Sequence, residues 1–185
     1  MKVLAAIVQI INSINRVVGN VFSWLSLAIV LVCFTVVVQR YALATTHLWM
    51  QDLYVWLNGA MFTAVAGFAL LRNDHVRVDI FYRPATPERK ALIDLIGVVF
   101  FLMPFAWIVY AYGWNFVARS WRLYEGSANV GGMPGLFLLK SFILVFAFVI
   151  AIQGISMALR SILVLTRNDH LLPADYRYET QQENH

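Results

Sequence analysis

Charge is what this sequence has least of. Asp, Glu, Lys and Arg supply 13% of its 185 residues, about half the share of ordinary globular chains, while 61% are hydrophobic. That balance excludes a water-soluble domain of the usual kind. Cysteine occurs once, at Cys33, so no internal disulfide can form, and inside an apolar run it reads as a small core residue. The four histidines, His47, His75, His170 and His185, all fall outside the apolar runs. A haem held between facing helices would therefore have no ligands. There is no nucleotide-binding loop, no metal-ligand cluster, and no nucleophile with a base at useful spacing. Ionisable residues, the usual mark of an ion or proton path, are almost missing from the centres of the runs. Nor do the runs form an inverted repeat or a pair of broken helices. Neither catalysis nor unaided transport is expected, and no cofactor or metal is called for.

What the sequence does have is four long, nearly uncharged segments: Val17–Val38, Leu53–Leu71, Leu92–Trp114 and Leu136–Leu159. Each is close to the roughly 20 residues a helix needs to cross about 30 Å of hydrocarbon. Inside lipid the backbone must satisfy its own hydrogen bonds, so each run is expected to be a helix. The expected fold is all-α and integral to the membrane, with four transmembrane helices. Residues 1–167 would form the membrane domain, and 168–185 a polar tail. "ALA" at Ala42–Ala44 has the form of a signal-peptide cleavage site. The run before it is longer than a signal core, so the first span is expected to be kept.

Basic residues set the expected orientation. Lys2 and Arg16 precede the first span, Arg72, Arg77, Arg83, Arg89 and Lys90 lie in the middle loop, and Arg160, Arg167 and Arg177 follow the fourth span. Against those ten stand Arg40 in the first loop and Arg119 and Arg122 in the third. Both termini and the middle loop are thus expected in the cytoplasm. The net charge of +4 then reports topology rather than nucleic-acid binding.

Within this frame, residues Val3 to Ile14 form an apolar stripe broken by Gln9, Asn12, Ser13 and Asn15. It reads as an interfacial helix or as an overshoot of the first span. The middle loop, "NDHVRVDIFY" from Asn73 to Tyr82, reads as a turnaround in the headgroup layer, with His75, Arg77 and Asp79 holding the turn. In "ATPERK", Thr86 can cap the next helix, with Pro87 at its first position and Glu88 at its positive end. Gly59, Thr63 and Gly67 put a small residue at every fourth position of the second span. Such a face suits close helix packing, within this bundle or against another subunit.

Pro104 is expected to kink the third span. Helical character can continue past Trp114 as far as Tyr124 and stop at Gly126, about 50 Å from Leu92 at 1.5 Å per residue. Its end would project from the outer face with Arg119 and Arg122 on one side, a surface suited to a partner or equally a solvated helix end with nothing bound. Lys140, the one basic residue within an apolar span, either snorkels to the outer interface or pairs with Asp52 or Glu125. Asp94, just inside the third span, is expected to be solvated or paired with an arginine.

Read in order, "WMQDLYVW", "NDHVRVDIFY", "RKALIDLIGVVFFLMPF", "SWRLYEGSANVGGMP", "LLKSFILVF" and "IQGISMALR" resemble the small membrane subunit, of the DctQ type, of TRAP transporters. These are the tripartite ATP-independent periplasmic uptake systems. The resemblance covers about Trp49 to Arg160. The His-Val-Arg-Val-Asp run, the Gly-Gly-x-Pro turn and Lys140 six residues beyond that proline are most similar to the branch labelled for mannitol or chloroaromatic compounds. Asp52 departs from it, because that branch usually has glutamate there.

The resemblance implies a bacterial inner-membrane complex. A periplasmic substrate-binding protein would deliver a solute, usually an organic acid. A large membrane subunit would carry the solute and sodium sites. This chain would brace that subunit, sit in membrane lipid and help dock the binding protein. From the residues alone, two other roles stay open: membrane anchor of a redox enzyme, and stand-alone small exporter.

Overall fold

The computed structural model of the chain describes residues 1–72, 82 and 84–178. His75, Arg77 and Asp79 lie outside the described residues. Among those described there are helices and turns but no strand. The α-helices are α1 (Lys2–Ser23), α2 (Leu25–Ala42), α3 (Leu48–Arg72), α4 (Pro87–Gly97), α5 (Met103–Arg122) and α6 (Leu136–Leu165). Only Trp24 separates α1 from α2, giving one helical stretch of 41 residues from Lys2 to Ala42. A π-helical turn, Val98–Leu102, joins α4 to α5. The result is four rods, each long and apolar enough to cross a membrane.

The π turn is the form that the break at Pro104 takes. Proline has no N–H to offer the carbonyl four residues back, and its ring crowds that carbonyl. Immediately before it the helix widens, with the Met103 N–H bonded to the Val98 carbonyl. The widened turn brings Leu102 and Met103 against Gly154 of α6. A Cβ added to Gly154 would lie 3.0 Å from Leu102 Cδ2 and 3.3 Å from Met103 Sδ. Thr86 caps α4, its hydroxyl oxygen accepting from the Arg89 N–H at 3.4 Å.

Helix α6 is the hub. It carries buried residues along most of its length from Ala147 to Val164, and α1, α3, α4 and α5 all pack on it. Lipid tails compete equally for large apolar side chains, so small residues and hydrogen bonds decide which helices meet. Gly59 of α3 faces Leu139 and Phe142 of α6, Thr63 is buried, and Gly67 faces Val149 of α6 and Asn15 of α1. The small-residue face of α3 is thus occupied inside the bundle.

Helix α1 has two opposite stripes. Val3, Ile7, Ile10, Ile14, Val17 and Val21 are exposed, whereas Ala5, Val8, Asn12, Asn15 and Gly19 turn inward. The inward stripe packs on α3 and α6, so α1 continues the first rod as a member of the bundle. At the N-terminal end of α1, Ala5 and Val8 meet Leu163 and Leu172 in a small apolar core. That contact folds the chain after α6 back onto the bundle, burying Leu172 and Tyr176. The start of α1, Tyr82 with the start of α4, and the chain after α6 therefore gather at one end, here the terminal end. The loop from Leu123 to Gly135 marks the other, the loop end.

Candidate docking surface and polar anchors

At the loop end the last turn of α5 exposes Arg119 and Arg122. The helix stops at Arg122, short of the Gly126 expected from the sequence. Tyr124 takes a positive φ of 46°, and the Glu125 N–H returns to the Ser120 carbonyl at 3.1 Å. This helix ending is usually built on glycine. Here side chains hold it: the Ser120 hydroxyl donates to Glu125 Oε2 at 2.6 Å, and Lys140 Nζ donates to the same oxygen at 2.5 Å. Lys140 also lies over the Phe116 ring, 4.2 Å from its centroid. Beside Lys140 and Ser120, the Glu125 carboxyl titrates below its ordinary range.

Of the two acids open to Lys140, the structure pairs it with Glu125. Asp52, at the start of α3, organises the loop instead. Its carboxylate accepts from the Ser127 hydroxyl at 2.7 Å, from the Met133 N–H at 2.9 Å and from the Asn129 amide at 3.3 Å. A side chain at Gly132 would collide with Asp52 and Ser127, so the loop can close over the carboxylate only with glycine there. Trp121 donates to the Ser141 hydroxyl at 2.8 Å and packs edge-on against Phe137. The loop end is thus a shaped, doubly anchored surface. Arg119 and Arg122 make no ion pair among the described residues.

Midway along the bundle, an amide network joins α1 to α6. Asn15 donates to Gln153 Oε1 at 2.6 Å, Gln153 donates to Asn12 Oδ1 at 3.3 Å, and Ser156 donates to the same Asn12 oxygen at 2.7 Å. All four side chains are buried. Toward the terminal end, Arg160 of α6 and Asp94 of α4 form a buried ion pair at 3.1 Å. The Tyr82 and Tyr178 hydroxyls donate to the same Asp94 oxygen at 3.1 and 2.8 Å. Burial pushes the Tyr178 hydroxyl above its ordinary value, which keeps it protonated as a donor.

Against this geometry, the family described as "Tripartite ATP-independent periplasmic transporters, DctQ component" matches residues 29–164. The chain belongs to the DctQ family. No curated protein and no solved structure matches it.

The matched region of this DctQ chain takes in Asp52, Asp94, Arg119, Arg122, Glu125, Lys140 and Arg160. It leaves out all of α1 and the start of α2, as well as the chain after α6. Asn12, Asn15 and Tyr178 therefore lie outside the matched span and bond to residues within it. Sequence reasoning noticed Asn12 and Asn15 only as breaks in an apolar stripe. Gln153, the one amide in the fourth run between Leu136 and Leu159, was the signal that could have found their partner.

Proposed function

We propose that this DctQ chain is the stationary scaffold of a sodium-coupled importer for an organic acid or related solute. It braces the large membrane subunit and helps receive the periplasmic substrate-binding protein. Its place is the bacterial inner membrane, with the terminal end in the cytoplasm and the loop end in the periplasm. The observation that carries the reading is the family match over residues 29–164, which includes both anchors of the loop end.

Three structural features support it. The buried amides midway along the bundle bond to one another, which suits a static part better than a moving one. Helix α2 has no buried residue and packs chiefly on α3. This half of the first rod, which its own bundle leaves largely uncovered, offers an apolar flank to a larger companion. At the loop end, Arg119 and Arg122 extend beside a loop whose shape Asp52 and Glu125 fix. Cations on a pre-shaped surface favour docking of an acidic partner, because little order has to be gained on contact.

The test is transport by the assembled complex. Arg119→Glu/Arg122→Glu should slow uptake driven by the binding protein while the large subunit still co-purifies. Unchanged uptake would remove the docking role. Solute accumulation in vesicles holding this chain alone would overturn the scaffold reading itself.

A further inference from the structure

A cavity of about 630 Å³ opens at the terminal end among α1, α3, α4, α6 and the chain that follows α6. Among the described residues its wall carries Arg16, Arg72, Lys90, Arg160 and Arg177, and one carboxylate, Asp175. Three of the arginines lie over rings, Arg160 in addition to its ion pair with Asp94. Arg16 lies over Tyr176 at 5.3 Å, Arg72 over Phe68 at 5.3 Å, and Arg160 over Tyr178 at 4.4 Å. Arg16 also reaches Asp175 Oδ2 at 3.4 Å, a single exposed contact rather than the bidentate lock that would use up its fork of N–H donors.

Two observations point to an anionic guest. Arg177 bonds only to main-chain carbonyls, Leu172 at 2.9 Å and His170 at 3.0 Å, so no described carboxylate neutralises it. Arg160, whose side chain is 9% exposed, has a buried Nε–H without a partner among the described residues. An unmatched buried donor on a charged group is costly. The geometry points to a binding site for the phosphate of an anionic membrane phospholipid in this cavity.

Surroundings favour a lipid over a free anion. The cavity lies where the long helices end, the level at which headgroups meet protein. About one helical turn further along α1 and α3, Ser23, Val65 and Ala69 begin an apolar groove of about 480 Å³, which Phe62 and Phe146 also line. Phosphate oxygens would take the guanidinium edges of Arg16 and Arg177, and an acyl chain would follow the groove. The guest would tie α1 and the chain after α6 to the rods of the matched region. This goes beyond the scaffold reading and does not depend on it.

The full-length chain, purified in detergent, is titrated separately with short-chain phosphatidylglycerol, short-chain phosphatidylcholine and inorganic phosphate, and bound lipid is counted by native mass spectrometry. Phosphatidylglycerol should bind at least about tenfold more tightly than phosphatidylcholine, and millimolar phosphate should fail to displace it. Arg16→Gln/Arg177→Gln should weaken phosphatidylglycerol roughly thirtyfold, at about fivefold for each cation near an anionic headgroup. Loss of Arg177 could also undock the chain after α6. Asn20→Glu breaks no side-chain bond in the structure and should repel the same lipid from the cavity wall. Arg119→Gln/Arg122→Gln, which removes equal charge at the other end, should change nothing. Equal affinity for the two lipids, or undiminished binding in both cavity variants, would overturn the site. Displacement by inorganic phosphate would overturn the lipid assignment. Lipid counts need neither transport nor a partner subunit, so this failure is separate from any failure of the scaffold reading.

Discussion

Arg160 and Asp94 meet at 3.1 Å between α6 and α4, with 9% and 6% of their side chains exposed. Breaking such a pair from one side leaves a buried charge uncompensated, at a cost of about 3–5 kcal/mol. Arg160→Met should therefore lower the thermal midpoint of the purified chain markedly. Asp94→Leu/Arg160→Met should restore much of the loss, because no lone charge stays behind. A double variant no better than the single one would show that other Asp94 contacts dominate.

Gln153 bonds to two amides of α1 at once. Hydrogen bonds between membrane helices average about 0.6 kcal/mol and reach about 1.7 kcal/mol. Gln153→Leu should thus loosen α1 by roughly 1–2 kcal/mol without unfolding α5 and α6. Hydrogen exchange should rise between residues 5 and 19 and stay level in α5. A uniform rise along the chain would contradict this local account.

Gly67 and Gly97 should respond oppositely to a side chain. A Cβ on Gly67 would lie 2.7 Å from Val149 Cγ1 and 3.0 Å from Asn15 Oδ1, whereas nothing lies within 4 Å at Gly97. Gly67→Val should force α3 away from α6 at about 1–3 kcal/mol, the usual penalty of overpacking. Gly97→Ala should be neutral or gain up to about 1 kcal/mol of helix propensity. Melting curves of the two variants decide the matter.

Glu125 should make the loop end sensitive to acid. Lys140 and Ser120 hold its carboxyl below the ordinary value of 4.5. The folded loop thus prefers the charged form, and its stabilisation is complete above that ordinary value. It fades as the pH falls toward the lowered folded value. Proteolysis of the loop should accelerate below about pH 4.5, and Glu125→Gln should be faster above that pH and keep only the dependence that the other anchor, Asp52, supplies.

Asp52→Ala should free the loop from the start of α3, since three donors converge on that carboxylate. Bonds to a charged acceptor contribute about 1.5–3 kcal/mol in protected sites and less where water competes. Exchange between residues 127 and 133 should speed up, while the helices keep their protection.

Much of the fold was legible because hydropathy is additive along a window. Four runs near 20 residues forced four helical rods, and Pro104 marked where the third would be disturbed. Thr86, Pro87 and Glu88 fixed the start of α4 because a cap acts within one turn. The end of α5 was misplaced by two residues, Arg122 in place of Tyr124. Tyr124, ahead of Gly126, takes the left-handed turn that ends the helix, since Ser120, Glu125 and Lys140 together stabilise it there. Lys140 left two acids open, as both lie near the same end and spacing along the chain cannot choose between them. Asp94 was left between water and an arginine, and the structure selects Arg160, 66 residues away. Tyr178 was not foreseen as a partner, because nothing local in a polar tail signals that it folds back.

The sequence alone determined that the chain is built of membrane-length helices, on which side its basic residues collect, and which family its ordered motifs resemble. Only the tertiary structure decided which polar groups spend their hydrogen bonds on which others: Lys140 on Glu125, Asn15 on Gln153, Arg160 on Asp94. Hydrophobicity summed over a segment does not change when a helix rotates about its axis or slides along it. Pairing depends on both rotation and offset, and packing of small residues such as Gly59 and Gly67 against α6 sets them.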